Sequence, residues 1–350
     1  MSSHSLLTDV SASAERRRWI APMMLVALMG LVAIGVQRFA VVSGGLQLSQ
    51  GYSGDGDPAI RTGSSNYPRE ALDRDGFRVV LPHRAHRIVS QYWSIDDYVY
   101  AVAPAETVVA VSESAYQPAF SNAYAFAQRF HPAVAGDAER VLRLDPDLVL
   151  VGDDSTPEYI SQMRSAGLPV YRMQVTFQTL RQVADSIRLT GYLTGYDESA
   201  KAAAEHFEQA VGEAKQKAIA SQQRGSPAPR VLGLGGMSYC YGKQTLFDDM
   251  VKTLGGSNVA ADAGLKGFNT LNKEQLIRWN PDWIVIGADK GKIASTLESL
   301  ESDPSIALTN AARHHHILVL ENHVFQPMSP YSALLVSAMA DAFYGNGGAL

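Results

Sequence analysis

The sequence predicts an α/β protein of two parallel-sheet lobes joined by one long helix and preceded by an N-terminal transmembrane anchor. Two observations lead to the lobes: a segment that occurs twice, and short aliphatic runs that alternate with helical segments. Residues 139–152 and 274–287 both contain Glu, two aliphatic residues, Arg, a bulky apolar residue, Asp or Asn before Pro-Asp, four apolar residues and Gly, in that order. Each copy predicts a short helix, a proline turn and a buried strand, so the lobes share one plan.

Composition excludes several classes of protein. The chain has 350 residues, of which 46% are hydrophobic and 19% charged, which is enough for a substantial core and favours two domains. A formal charge of −5 provides no basic field for nucleic acid. Cys240 is the single cysteine, so the chain cannot form an internal disulfide, a CxxC zinc site or an iron-sulfur cluster.

The N-terminus predicts a membrane anchor or a signal. Three arginines end the segment 1–18, and residues 19–36 then carry no charge, which is close to the shortest length that spans a bilayer. The charge bias makes 1–18 a cytoplasmic tail and places the folded part outside the membrane. No A-x-A site follows the span, which favours an uncleaved anchor over a cleaved signal peptide, and the arginines also permit a weak twin-arginine export signal.

Residues 37–69 are rich in Gly, Ser, Asp and Asn and predict a flexible tether. The N-terminal lobe is expected at 70–196, where strands and helices alternate as they do in a parallel sheet covered on both faces. The predicted elements are strands at 77–81, 87–90, 107–111, 148–151 and 170–173, and helices at 95–102, 138–144 and 159–166.

The linking helix is expected at 197–224, where alanines and Phe207 recur at three- and four-residue steps and Asp197 or Ser199 can cap the start. Because a helix is a stiff connector, large hinge closure is disfavoured. The C-terminal lobe is expected at 225–350, with strands at 230–234, 283–286 and 317–320 and helices at 246–254 and 273–279.

These segments, in this order, resemble a known family. The carriers are Asp75-Gly-Phe-Arg-Val-Val-Leu-Pro, Arg87-Ile-Val-Ser, Val108-Val-Ala-Val-Ser, the doubled segments, Gly167-Leu-Pro-Val, Leu254-Gly-Gly-Ser-Asn and Ser329-Pro with its trailing helix. From about Asp75 to Tyr344 the chain resembles the class III periplasmic substrate-binding proteins of ABC importers, which bind iron-siderophores, haem or cobalamin. The resemblance implies two α/β lobes joined by one long helix.

The resemblance also implies a role for two glutamates. In the family one exposed Glu at the tip of each lobe docks against the permease, and Glu139 and Glu274 occupy the matching positions. Asp137 and Asn272, two residues earlier, are good N-caps, so both glutamates fall in a first helical turn. The alternative is that each carboxylate only interacts with the helix dipole, which is worth about 0.3–1 kcal/mol.

Aromatic residues that follow predicted strands are the candidate ligand contacts, because clefts for large planar ligands are apolar and aromatic. For each of them a packed core or loop position is the alternative. The chain has Gln91-Tyr-Trp where the family shows small residues. Tyr116 or His323 would be an axial iron ligand if the ligand were haem. The candidates are Tyr92, Trp93, Tyr116, Tyr239, Tyr241, His323 and Phe325.

Other polar groups give weaker signals. His314, His315 and His316 are adjacent, and three neighbouring side chains of an extended chain cannot converge on one ion, so a solvated turn is expected and no metal site. Arg84, Arg87, Arg172 and Arg230 could pair with ligand carboxylates or cap strand ends. No nucleophile motif is present, and no catalytic residue or intrinsic cofactor is expected.

The sequence therefore predicts a binding protein and not an enzyme. It would be an extracytoplasmic, membrane-anchored monomer that captures an iron complex (siderophore or haem) or cobalamin and delivers it to an ABC permease and its ATPase, with no nucleic-acid partner. The alternative is a membrane-anchored sensor or scaffold with the same fold, and a tethered hydrolase is a weaker third reading.

Overall fold

Two β-sheets, separated in sequence by a long helix, organise the computed structural model, which describes residues 67–119, 121–130, 136–236 and 239–345. The predicted anchor at 19–36 and all of the predicted tether except 67–69 lie outside these residues. No helix in the described ranges has the length and apolarity needed to cross a bilayer. All described residues belong to one compact unit.

The N-terminal lobe is built on a four-stranded parallel sheet, preceded by a two-stranded antiparallel hairpin. The hairpin strands are β1 (Arg69–Leu72) and β2 (Arg78–Leu81), and the sheet strands are β3 (Ile88–Ser90), β4 (Val108–Ala110), β5 (Leu148–Val151) and β6 (Val170–Arg172). The sheet has the order β4-β3-β5-β6. Every residue of β5 is buried, as a four-residue aliphatic run in a parallel sheet predicts.

Five helices and two 3₁₀ turns surround this sheet. They are α1 (Trp93–Val102), α2 (Tyr124–Ala127), α3 (Ala138–Arg143), α4 (Pro157–Ser165) and α5 (Leu180–Thr194), with 3₁₀ turns at Ala105–Thr107 and Glu113–Tyr116. The sequence analysis did not predict α5. Its start signal is a capping box between Thr179 and Gln182, and Gly195 ends it in the left-handed conformation.

The linking helix α6 (Asp197–Gln223) has 27 residues and is about 40 Å long. It packs against α5, and its buried face contributes to a core cluster that holds residues of both lobes. The predicted cap is wrong: the N-cap is Tyr196, which makes no side-chain cap. Asp197 is the first helical residue, and its carboxylate accepts hydrogen bonds of 3.0 and 2.6 Å from the guanidinium of buried Arg69.

The C-terminal lobe has a mixed sheet of six strands, β7 (Arg230–Gly235), β8 (Tyr239–Tyr241), β9 (Ser257–Asn258), β10 (Phe268–Thr270), β11 (Trp283–Ala288) and β12 (Ile317–Glu321). Strands β7, β9, β11 and β12 are parallel. The prediction of a wholly parallel sheet is wrong at one edge, where β8 and β10 run antiparallel. Gly236, with φ of 66°, turns the chain back directly after β7, so the next strand pairs with it antiparallel.

Eight helices complete the lobe: α7 (Leu246–Thr253), α8 (Val259–Asp262), α9 (Lys273–Trp279), α10 (Ile293–Glu301), α11 (Pro304–Ala307), α12 (Asn310–Arg313), α13 (Asn322–Phe325) and α14 (Ser332–Tyr344). Helices α3 and α9 belong to the two copies of the doubled segment. Their N-caps are the predicted ones, because the side chain of Asp137 accepts from the amide of Arg140 and that of Asn272 accepts from the amide of Gln275.

Candidate functional site

Most of the candidate ligand residues lie at or just beyond the carboxyl ends of the strands, the edge at which ligands bind to α/β sheets. Tyr92 and Trp93 follow β3, and Tyr116 ends the 3₁₀ turn that follows β4. In the second sheet Tyr239 pairs with Gly235 at the end of β7, and His323 follows β12. We call Tyr92, Trp93 and Tyr116 the N-lobe wall.

Tyr92 is the N-cap residue of α1, and Trp93 is its first residue, with the two ring centroids 6.0 Å apart. Gly152, the last residue of the first doubled segment, lies beneath Tyr92: a Cβ at Gly152 would be 2.9 Å from the ring. Burial, reinforced by the nearby carboxylate of Asp154, raises the pKa of Tyr92 to about 12. The Tyr92 hydroxyl therefore stays protonated at physiological pH and can donate a hydrogen bond.

Tyr116 is partly buried, and its hydroxyl donates a 2.8 Å hydrogen bond to the backbone carbonyl of Phe130. Burial raises the pKa of Tyr116, and the negative charge of Asp96 raises it further. Ligation of iron by a tyrosine uses the phenolate. Tyr116 would have to lose both its proton and its bond to Phe130 to serve in that way.

An aromatic cluster of the other lobe, which we call the C-lobe wall, packs on a hydrophobic core that includes Phe247 and Phe325. Tyr241 lies at its centre, with ring centroids 5.4 Å from Phe247, 5.3 Å from Phe268 and 5.7 Å from Phe325. Burial raises the pKa of Tyr241. Tyr241 and Phe325 are among the candidate residues that the sequence indicates, whereas Phe247, on α7, and exposed Phe268, on β10, are not. Phe268 joins the cluster through the antiparallel pairing of β10 with β8, which the sequence analysis did not predict.

Gly287 is the last residue of the second doubled segment, as Gly152 is of the first. A Cβ at Gly287 would lie 2.3 Å from Oδ1 of Asn322 and 2.8 Å from the ring of Phe325. Phe325 is only 5% exposed, so it supports the C-lobe wall from beneath. In both lobes the glycine of the repeat thus permits an aromatic ring of the site to approach the strand.

Tyr239 and His323 differ in their surroundings. Tyr239 is exposed, whereas His323 is partly buried. Nδ1 of His323 lies 3.1 Å from a carboxylate oxygen of Glu321 but outside hydrogen-bonding geometry. The backbone carbonyl of His323 accepts a 2.8 Å hydrogen bond from Nδ2 of Asn122, so segments that follow β4 and β12 meet across the lobes.

The four arginines considered as carboxylate partners are engaged elsewhere. Arg87 and Arg230 lie at the amino ends of β3 and β7, at the opposite edge of each sheet, where they donate to carbonyls at the ends of α3 and α9. Arg172 donates to the carboxylate of Asp75 and to the carbonyl of Asp153. The guanidinium of Arg84 lies 5.1 Å from the ring centroid of Tyr196.

The side chains of the histidine run do not converge on one point. His316 stacks on Trp283 with ring centroids 4.2 Å apart, and His315 has φ of 57°. Burial lowers the pKa of His316. Within the described ranges no group of three His, Cys, Asp or Glu side chains could hold a metal ion. Cys240 is buried, which raises the pKa of its thiol to about 11 and disfavours the reactive thiolate.

Glu139 and Glu274 occupy the second position of α3 and of α9, and both are exposed. The side chain of Glu139 is 80% exposed and lies 3.9 Å from Arg143 on the same helix. Such a surface pair contributes little to stability, so it leaves the carboxylate available to a partner.

Comparisons with known proteins point in one direction. A family model described as "Periplasmic binding protein" matches residues 88–324. The "Cobalamin-binding protein" of Halobacterium salinarum is 26% identical over 289 residues, which are 80% of this chain and 75% of that protein. The "Vitamin B12-binding protein" of Pectobacterium atrosepticum is 27% identical over 217 residues, covering 60% of this chain and 74% of that protein.

Solved structures with the same fold include a protein that binds haem. The "Periplasmic heme-binding protein RhuT from Roseiflexus sp. RS-1 in apo form" has a TM-score of 0.62 and 28% identity, covering 74% of this chain and 98% of that one. The relatives named in these comparisons are binding proteins, so the predicted class, a binding protein and not an enzyme, is confirmed.

Proposed function

Because the chain belongs to the periplasmic binding protein family, we propose that it binds a corrinoid between its lobes and delivers it to an ABC permease and its ATPase. The observation that carries the proposal is the presence of aromatic side chains beside the sheets of both lobes: Tyr92 and Trp93 directly follow β3, and the Tyr241 cluster packs along the antiparallel edge of the second sheet. Among the described residues no ring contact joins the two walls: Tyr92 contacts Trp93 in one, and Tyr241 contacts Phe325 in the other. Two such walls suit a large, flat macrocycle.

The positions of the four candidate arginines favour a corrinoid over haem or an anionic siderophore. Haem carries carboxylates that need cationic partners, and guanidinium groups are the usual choice. Arg87 and Arg230 are at the wrong edge of their sheets, and Arg172 already pairs with Asp75. Burial raises the pKa of Tyr116, the candidate iron ligand, and its hydroxyl already donates to the carbonyl of Phe130. A corrinoid brings its own metal ligands and neutral amides, which suit hydroxyl donors such as Tyr92. The names of the curated relatives support the same choice.

The family implies an extracytoplasmic location for the folded part. We propose further that residues 19–36 remain as an uncleaved anchor, since these residues lack charge and follow three arginines. The intact mass of the protein extracted from membranes tests this: a mass that lacks the first 36 or more residues would show that the segment is a cleaved signal.

Equilibrium dialysis of the full chain against cyanocobalamin, haemin and ferrichrome tests the choice of ligand. Each probe is measured by its visible absorbance. We expect saturable binding of one cyanocobalamin per chain, at least about tenfold tighter than either iron compound, which corresponds to about 1.4 kcal/mol. If haemin binds more tightly, the ligand is haem and not a corrinoid. If no probe binds, the transport proposal is wrong.

Matched aromatic substitutions locate the site. Trp93→Ala and Tyr241→Ala each remove one aromatic ring from a wall and should weaken cyanocobalamin binding about tenfold or more, because aromatic residues contribute much of the binding energy at such sites. Phe77→Ala is the control, because Phe77 is an exposed aromatic residue in the turn between β1 and β2. Equal losses in all three variants would place the ligand elsewhere.

A further inference from the structure

Two adjacent carboxyl groups on α1, those of Asp96 and Asp97, are completely buried. Asp96 faces its own lobe, where it accepts hydrogen bonds from the amide and the hydroxyl of Ser112, at 3.2 and 2.5 Å. Asp97 faces the other lobe: its Oδ2 accepts a 2.8 Å hydrogen bond from the hydroxyl of Ser329, which is also completely buried. The two residues of this second bond are 232 positions apart in the sequence.

Neighbouring carboxyl groups in a protein interior are costly, because burial penalises the charged form and each charge repels the other. Burial raises the pKa of both Asp96 and Asp97 to about 7, and the charge of Asp96 adds to the effect on Asp97. An apolar residue would fill such a position without this cost. The presence of two carboxyl groups at these buried positions indicates that they fix the geometry of the neighbouring segments.

The segment that contains Ser329 is held at three points by the N-terminal lobe. Besides the bond to Asp97, the hydroxyl of Tyr98 donates to the carbonyl of Met328 at 3.3 Å, and Asn122 donates to the carbonyl of His323 at 2.8 Å. The segment from His323 to Ser329 includes Phe325 of the C-lobe wall. Helix α1, on which Asp97 lies, begins with Trp93 of the N-lobe wall. Three hydrogen bonds therefore link the segment that carries Phe325 to the N-terminal lobe, and among them only the bond between Asp97 and Ser329 is fully buried.

We propose that Asp97 is a positioning residue for ligand binding: its hydrogen bond to Ser329 fixes the separation of the two aromatic walls and so sets the affinity for the ligand without contact with it. This inference rests on the proposed function, a ligand held between the lobes. Without the bond the lobes sample wider separations, and the apparent affinity falls in proportion to the fraction of molecules that keep the binding-competent spacing. The rigid linking helix allows only small changes in the distance between the lobes, so local hydrogen bonds can set that distance.

Distances between the lobes test the proposal without any ligand. Spin labels on Ser161→Cys of α4 and Ser299→Cys of α10, two exposed positions, report the spacing by pulsed EPR, and buried Cys240 should remain unlabelled. We expect Asp97→Ala and Ser329→Ala to broaden the distance distribution. Asp97→Asn should keep it narrow, because the amide oxygen still accepts the hydroxyl hydrogen.

Affinity for cyanocobalamin is measured in parallel on the unlabelled full chain. Asp97→Ala and Ser329→Ala should bind about tenfold more weakly if the competent fraction falls to about a tenth, while Asp97→Asn stays near wild type. Ser221→Ala is the control, since Ser221 is also buried but bonds within one segment, to Ser226.

The outcomes separate the two proposals. Unchanged distances in both Asp97→Ala and Ser329→Ala overturn the positioning role, as does an affinity loss in Ser221→Ala as large as theirs. A wild-type chain that binds no probe defeats the proposed function, and the spin-label distances then decide the positioning role by themselves.

Discussion

The backbones of Asp145 and Asn280 adopt the same left-handed conformation, with φ of 48° and 43°, at equivalent positions of the doubled segment. Asp and Asn are the residues other than glycine that adopt it most readily. The carbonyl of each accepts a hydrogen bond from an arginine at the start of the neighbouring strand, Arg87 for Asp145 and Arg230 for Asn280, at 2.8 and 2.9 Å. The two lobes therefore repeat one turn together with the arginine that stabilises it.

Loss of either arginine should reduce stability and leave ligand binding intact. Arg87→Ala and Arg230→Ala each remove charge-assisted bonds to carbonyls at a helix end, so we expect the free energy of unfolding to fall by about 1–2 kcal/mol. Urea denaturation measures this. Arg181→Ala, which removes only a surface pair within one helix, should cost less than about 0.5 kcal/mol. A loss of cyanocobalamin affinity without a loss of stability would mean that the arginines face the ligand.

These repeated turns were predictable, because they depend on neighbours in sequence. The helix Lys273–Trp279 and the strand Leu148–Val151 have the bounds that the sequence analysis gave them. Local caps and short aliphatic runs determine such elements, so a single sequence contains the information. The same holds for the placement of Tyr92 and His323 at strand ends.

Contacts between distant segments were not predictable. The aromatic cluster around Tyr241 needs β10 to return beside β8, and nothing in the sequence near Phe268 signals that pairing. The bond from Ser329 to Asp97 joins residues in different lobes. Helix α5 is different, because the capping box at Thr179 is a local signal for its start. The elements predicted from the sequence did not include this helix.

The glycines that end the two copies should be intolerant of substitution. In Gly152→Ala the new methyl group would press on Tyr92, and in Gly287→Ala it would press on Asn322 and Phe325. Overpacking of this kind costs about 1–3 kcal/mol, and the displaced rings should weaken cyanocobalamin binding as well. Thermal melts and equilibrium dialysis give the two values.

Gly212 provides the matched control for these variants. It lies within the linking helix, and a Cβ built there meets nothing within 4 Å. Gly212→Ala should therefore stabilise the protein by about 0.5–1 kcal/mol, because alanine is the better helix former. Ligand affinity should not change. A Gly287→Ala variant that behaves like Gly212→Ala would refute the close-packing explanation.

Charge reversal at the lobe tips should abolish delivery and preserve binding. We propose that exposed Glu139 and Glu274 dock on the permease, so the Glu139→Arg, Glu274→Arg double variant should bind cyanocobalamin normally but support no import by cells that depend on this chain. Loss of each helix-dipole interaction would cost only about 0.3–1 kcal/mol of stability.

Glu158→Arg separates docking from the dipole effect. Glu158 is also an exposed second residue of a helix, α4, with a side-chain cap from Thr156. It shares the dipole interaction but has no counterpart in the doubled segment. Import should be normal in Glu158→Arg, and a defect equal to that of the double variant would leave the dipole as the sufficient explanation.

Tyr116 should not become an iron ligand. Its raised pKa and its bond to Phe130 favour the neutral phenol, so any complex with haemin should lack the charge-transfer absorption of a ferric phenolate. Tyr116→Phe should then leave the haemin spectrum unchanged. A phenolate band in the wild type that disappears in Tyr116→Phe would contradict this prediction and would favour haem as the ligand.

The buried carboxyl pair predicts an unusual dependence of stability on pH. The pKa of Asp96 and Asp97 is about 7 in the folded chain, against 3.8 for the ordinary side chain. Between these two values the folded protein holds protons that the unfolded chain releases. By linkage, the contribution of this pair is fully present below about pH 4 and is lost as the pH rises through 7.

Asparagine variants test the sign of this effect. Asp96→Asn and Asp97→Asn keep the shape and remove the titration, so each should flatten the profile of unfolding free energy between pH 4 and 7, by at most about 1.4 kcal/mol per pH unit. Both should exceed the wild type in stability at pH 8, where the wild type must bury a charge. Urea denaturation at a series of pH values gives the profiles, with Asp341→Asn, an exposed carboxylate, as the control. The opposite result would be a wild-type stability that rises from pH 4 to pH 8. It would show that Asp96 and Asp97 remain ionised when buried and that Ser112 and Ser329 solvate them fully.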